Sequence, residues 1–189
     1  TWNVTSRPGT FRPPNWDDFT FGIWIPWWRE SRLWGIPEPE EVRVETYQGL
    51  TDAAGMHRLR IDFEAVDPPQ PTSVTAEATV MDVNRQAWSS AAHLLVHAAD
   101  LYVGLRTART FFELGQPIKV DAIVTDLDGN PVADRPIEMR AVRLDWTYKK
   151  GEWHEEEVGE QRCTVGSGDK PVTCTFATPE GGTYRITAT

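Results

Sequence analysis

Pro117-Ile118-Lys119-Val120-Asp121-Ala122-Ile123-Val124-Thr125 is the stretch that decides the fold. Ile118, Val120, Ala122 and Val124 fall on one face by period-two alternation, which predicts a half-buried antiparallel strand. Asp126-Leu127-Asp128-Gly129-Asn130-Pro131 follows it, a run of turn formers in which Gly129 supplies positive φ and Pro131 blocks continued pairing. The alternation restarts at Ile137, Met139 and Ala141, which reads as a hairpin-like return. Val172, Cys174 and Phe176, then Tyr184, Ile186 and Ala188, predict two more strands on either side of a tight reversal at Thr178-Pro179-Glu180-Gly181-Gly182-Thr183. From residue 99 onward the pattern is that of a β-sandwich.

The first half follows the same grammar. Leu59, Ile61, Phe63 and Ala65 alternate with charged residues, and Val74, Ala76, Ala78 and Val80 alternate with Thr75, Glu77 and Thr79. Asp67-Pro68-Pro69-Gln70-Pro71 separates the two. Asp82 to Ala92 lacks Gly and Pro, yet Asp82-Val83-Asn84-Arg85-Gln86 stands where a hairpin loop is expected, so the stretch is read as turn and strand rather than helix. His93-Leu94-Leu95-Val96-His97 ends one module and Leu101-Tyr102-Val103-Gly104-Leu105 opens the next. The expectation is all-β: two tandem antiparallel sandwiches, residues 1–98 and 99–189. Thr1-Trp2-Asn3-Val4 opens like mid-strand and Tyr184 to Thr189 ends on one, so the first module is expected to be truncated at its start and the second to lack its last strand.

Composition narrows the function. Of the 189 residues, 40% are hydrophobic and 25% charged, the balance of a folded chain. The net charge is −9 and the 19 Lys and Arg are scattered, without the basic stripe of a nucleic-acid binder. No apolar run approaches the roughly 20 residues of a membrane helix. Fourteen Pro and fourteen Gly, dispersed without period, cut the chain into short segments.

Several short segments, in their order, resemble the macroglobulin-like domains of bacterial alpha-2-macroglobulins. They are Val80-Met81-Asp82-Val83-Asn84-Arg85-Gln86, Leu95-Val96-His97 leading into Leu101-Tyr102-Val103-Gly104-Leu105, Ile123-Val124-Thr125-Asp126-Leu127-Asp128-Gly129, and Thr183-Tyr184-Arg185-Ile186-Thr187-Ala188. The likeness runs over most of residues 50 to 189. It implies fibronectin-like sandwiches in a protein that entraps proteases through a cleavable bait region, with this pair upstream of the bait. The implied role is a non-catalytic scaffold, with neighbouring domains of the parent chain as partners and proteases as targets of the whole protein. The implied setting is extracytoplasmic: periplasm, cell surface or medium. The family's thioester pattern places Cys first and Gln three residues later. Gln161-Arg162-Cys163 has the reverse order, so no thioester is carried over.

Candidate chemistry is sparse, and no catalytic residue, metal site or cofactor is expected. Asp126 and Asp128 before Gly129 begin like a calcium loop, but the later ligands of an EF-hand do not follow. His93 and His97 on a strand stand about 13 Å apart at roughly 3.3 Å per residue, too far to share a zinc ion. His154 with Glu155, Glu156 and Glu157, and Asp17 with Asp18, read as solvated loops.

Nine Trp are present and six lie within the first 34 residues. Trp16, Trp24, Trp27, Trp28 and Trp34 are the interface candidates, because Trp buries a large area and is enriched where proteins meet. The competing reading is a sugar-stacking platform, which would make the chain a carbohydrate-binding or adhesin module. Cys163 and Cys174, the only cysteines, flank Val165-Gly166-Ser167-Gly168-Asp169-Lys170-Pro171, a loop that favours a reversal. Cross-strand partners lie within disulfide range, so a Cys163–Cys174 bridge is expected, against the alternatives of buried thiols or zinc.

Overall fold

A computed structural model describes residues 1–24, 42–63, 69–149 and 151–189. The described residues form eleven strands and no helix, and every strand pairing is antiparallel. The chain divides into two compact units, Thr1–Phe11 with Ile25–Ala99, and Arg12–Trp24 with Asp100–Thr189.

In the first unit, β1 (Trp2–Pro8), β3 (Arg43–Tyr47), β4 (Thr72–Met81) and β5 (Ala87–Val96) form one sheet in the order β3-β1-β4-β5. Register places Val4 opposite Ala76 and Ala76 opposite Ala92, so Val4, Val74, Ala76, Ala92 and Leu94 share a face. Val4 and Val74 are buried there. The other face is polar, carrying hydrogen-bonded pairs such as Thr75 with His93 and Thr79 with Ser89. The strand expected over Leu59 to Ala65 is not formed at residues 58–63, and Ala65 lies outside the described residues. Alternation alone does not make a strand where no neighbouring ladder receives its hydrogen bonds.

In the second unit β2 (Thr20–Phe21), β6 (Tyr102–Thr107), β7 (Ile118–Thr125) and β10 (Val172–Phe176) form a sheet in the order β10-β7-β6-β2. Facing it is a second sheet, β11-β8-β9, built from β8 (Pro136–Lys149), β9 (Glu152–Gly166) and β11 (Thr183–Ala188). The core between them joins Ile118, Val120, Ala122 and Phe176 of one sheet to Ile137, Met139 and Ala141 of the other.

Three local expectations are corrected here. The return after Pro131 is not a hairpin. Beyond one bridge between Thr125 and Pro131 the chain crosses to the opposite sheet, where β8 pairs with β9 and β11. Likewise β10 and β11 are not neighbours, since β10 pairs with β7 and β11 with β8. Both errors arise because alternation shows that a strand has a buried face without saying which sheet it joins.

The third correction concerns β7, which is buried on both faces along its second half. Ile123, 0% exposed, points away from the main core and is covered by Phe19 and Phe21, with Trp16 and Tyr102 around them. Residues 12–24 therefore pack with the second unit, although the sequence reading assigned them to the first module. Gly104 makes room for this: a Cβ there would stand 2.4 Å from the Phe21 ring. With β2 included the second unit counts seven described strands, and among the described residues none pairs with the outer edge of β11.

Candidate functional site

Three turns are built alike, and they account for the carboxylates that resembled a calcium loop. Asp126 Oδ1 accepts hydrogen bonds from the Asp128 and Asn130 amides at 3.0 and 2.8 Å, and Gly129 takes φ 83°. Asp82 receives the Asn84 and Gln86 amides in the same way with Arg85 at φ 63°, and Asp52 receives those of Ala54 and Met56 with Gly55 at φ 75°. Each aspartate closes its own turn with donors two and four residues on, which is Asx-turn chemistry. At Asp126 the Asn130 side chain and these amides hold the carboxyl below its ordinary value. Among the described residues no group of three or more His, Cys, Asp or Glu side chains is gathered for a metal ion.

The histidines are likewise separate. His93 Nδ1 is 3.0 Å from Thr75 Oγ1, and His97 packs edge-on against Phe11 with ring centroids 4.6 Å apart. His154 stands opposite Thr147 in the β8–β9 ladder.

Trp16 is used for packing. Its indole N–H donates to the Gly129 carbonyl at 2.8 Å and its ring meets Phe19 edge-to-face at 5.3 Å, which anchors this half-buried side chain to the second unit. Trp24 is 56% exposed, beside Ile23 at 73%. Trp27, Trp28 and Trp34 lie outside the described residues. Asp18, near Trp16, forms an ion pair with Arg106, whose guanidinium also reaches Asp121 at 2.9 Å and lies 4.5 Å over the Phe19 ring. The Arg106 bond, with one from Thr173, lowers the Asp121 pKa.

Cys163 and Cys174 form a disulfide with a Cα–Cα distance of 6.2 Å. The route differs from the expected one. Cys163 lies on β9 opposite Met139, and Cys174 on β10 opposite Val120, so the bridge ties one sheet of the sandwich to the other instead of joining ladder neighbours. Two residues before Cys163, the Gln161 carboxamide donates to the Ala177 carbonyl at 2.9 Å and accepts from the Ala177 amide at 2.8 Å. The side chain thus acts as a short piece of ladder between β9 and the end of β10.

Two features of the β8–β9 hairpin escaped the sequence reading. The first is an ion-pair network on the outer face. A bulge between Ala141 and Arg143, with Gly159 at φ 65°, sets Glu157 and Glu160 on that same side. Arg140 reaches both, at 2.6 and 2.7 Å, while Arg162 joins Glu160 and Arg185 joins Glu157 and Glu155. Hydrogen bonds from Arg140 hold Glu157 and Glu160 below the usual carboxylate range. The second feature is the exposed trio Trp146, Tyr148 and Trp153, 49%, 62% and 65% accessible. Only pairing register reveals that they share a face: Tyr148 lies opposite Trp153, and Trp146 opposite Glu155.

No family model matches the chain. Among curated proteins it is 20% identical over 195 residues to an alpha-2-macroglobulin homolog of Nostoc sp., covering 97% of this chain and 10% of that protein. It is also 26% identical over 144 residues to circularly permutated Ras protein 2 of Dictyostelium discoideum, covering 71% of this chain and 4% of that protein. The chain thus spans at most a tenth of the curated relatives it matches. Among solved structures, Escherichia coli alpha-2-macroglobulin activated by porcine elastase superposes with TM-score 0.60 at 16% identity, over 99% of this chain and 17% of that one. Salmonella alpha-2-macroglobulin reacted with methylamine gives 0.59 at 15% identity, over 99% and 13%. The fold of this chain is therefore the one that bacterial alpha-2-macroglobulins build over the matched stretch.

Proposed function

We propose that the chain supplies two non-catalytic scaffold modules to an alpha-2-macroglobulin-like endopeptidase inhibitor. The observation that carries this reading is the superposition on two bacterial alpha-2-macroglobulins across 99% of the chain. Escherichia coli alpha-2-macroglobulin, on which the chain superposes, is activated by porcine elastase, and this supports proteases as the targets of the whole protein. In this reading the modules hold neighbouring domains in place, and Trp24 with Ile23 is a contact toward them. The parent acts outside the cytoplasm, where the bridge between Cys163 and Cys174 persists.

A scaffold has no inhibitory power alone, because entrapment needs a cleavable bait and a rearrangement of the assembly. The isolated chain is expected to leave trypsin and elastase fully active on a protein substrate at any molar ratio. Stoichiometric loss of activity in that assay would show that the chain carries an inhibitory site. Oligosaccharide titration followed by Trp fluorescence separates this reading from the carbohydrate-binding one, which requires a saturable change.

A further inference from the structure

The sheet of the first unit ends on β5, and among the described residues no strand pairs with its outer edge. Thr79 exchanges hydrogen bonds with the backbone of Thr1 at 2.8 and 2.9 Å, so it gives none to Ser89, its neighbour on β5. Antiparallel ladders alternate, and the backbones of Ala87, Ser89, Ala91, His93 and Leu95 therefore turn their N–H and C=O groups outward. These residues are exposed, and the ladder with β4 runs without a bulge.

An open edge invites another strand, and proteins blunt it with charge, proline or a bulge. The edge strands β3, β9 and β11 carry such charges, among them Arg43 and Glu45, Glu156 and Glu157, and Arg185. β2 is only two residues long, and β10 is tied to β9 by the Cys163–Cys174 bridge. β5, Ala87-Trp88-Ser89-Ser90-Ala91-Ala92-His93-Leu94-Leu95-Val96, holds no Asp, Glu, Lys, Arg or Pro.

The outward groups are spaced symmetrically about Ala91, so the strand complements itself. Laid antiparallel to a second β5 with Ala91 opposite Ala91, Ser89 faces His93 of the other copy and Ala87 faces Leu95, all as hydrogen-bonded pairs. Between them, in the closer positions, Ser90 faces Ala92 and Trp88 faces Leu94. Small residues then meet at the centre. At both ends the large exposed side chains, Trp88 at 72% and Leu94 at 57%, cover one another. Both lie on the face of Val4 and Val74, so that apolar face continues across the junction. Moving the two-fold axis to Ser89 or His93 sets Trp88 against Ser90 or Ala98 and parts it from Leu94.

We infer that β5 is a dimerisation edge, on which a second copy of this chain adds its own β5 antiparallel about Ala91. The four strands of each copy then form one continuous sheet through an isologous contact. The inference does not depend on the scaffold reading.

The test is sedimentation velocity of the 189-residue chain over a concentration series reaching about 0.1 mM. The wild type is expected to dimerise. Ala91→Lys and Ala91→Glu each set like charges against one another on the two-fold axis, and each is expected to stay monomeric across the series. An equimolar mixture of the two is expected to dimerise again, because opposite charges then meet. Circular dichroism confirms that each variant is folded. Trp88→Ser, which leaves the backbone edge intact, is expected to weaken dimerisation about tenfold, since its contact with Leu94 occurs twice. Trp153→Ser, at an exposed tryptophan of the second unit, leaves association unchanged. A wild type that is monomeric at the top of the series overturns the inference. So does a dimer that survives Ala91→Lys or Trp88→Ser undiminished, or a mixture of the charge variants no more associated than either alone.

Discussion

Replacing Cys163 and Cys174 together by alanine is expected to lower the stability of the second unit by about 3 kcal/mol, read as a shift of its urea midpoint at unchanged slope. The bridge spans a sequence separation of 11 residues, and closing a loop of that size restricts the unfolded chain by roughly 3 kcal/mol. Cys174 is 1% exposed and packs with Val120 and Phe176, so its loss also leaves a small void. Because β9 and β10 belong to different sheets, this is a bond between the two layers. The Gln161 bonds to Ala177 keep the strands close in the variant, so the fold survives while the midpoint falls. A midpoint unchanged within error would show that the cross-link contributes nothing and that the facing cores carry the whole association of the sheets.

Phe21→Ala is expected to cost the second unit about 3 to 4 kcal/mol, the usual consequence of emptying a buried aromatic site. Phe21 is 7% exposed, pairs with Gly104 and covers Ile123 together with Phe19. Its loss uncovers the second face of β7. The effect therefore extends beyond stability: backbone amides of Thr20 and of β6 are expected to exchange with solvent faster, while those of β8 and β9 keep their protection up to the new global limit. Gly104→Val tests the same contact from the other side, because its added carbons enter the space of the Phe21 ring. A Phe21→Ala variant as stable as the wild type would mean that residues 12–24 are not part of the second unit.

Much of this fold is legible from alternation, since strands at 74–80, 101–105, 118–124, 172–176 and 184–188 match real ladders. The turn at Asp82 is also legible, because an aspartate followed by short polar residues has a local partner in its own backbone. What alternation does not encode is the identity of the neighbouring strand. Period two says that Ile137, Met139 and Ala141 share a face, and it is silent on whether that face lies beside β7 or across from it. The same gap explains the disulfide, whose residues are correctly paired by elimination while the geometry that joins them runs between sheets.

The membership of residues 12–24 in the second unit is hidden for a different reason. Pro13, Pro14 and the aromatics that follow carry no sign of which module they join, and only the pairing of Phe21 with Gly104 shows what those aromatics cover. The contact is long-range and has no local period. At the hairpin tip, Trp146, Tyr148 and Trp153 are plain in the sequence, but their shared face depends on a register set by the turn at Gly151 and the bulge at Gly159. Register is invisible until both strands are fixed.

The scaffold reading makes its most direct commitment about the full-length protein that contains this chain. That protein, exposed to elastase and separated from free enzyme, is expected to retain elastase that still cleaves a small peptide substrate and no longer degrades a large protein substrate. Elastase that passes through unretained, or that stays fully active on the large substrate, contradicts the assignment of these modules to a protease trap.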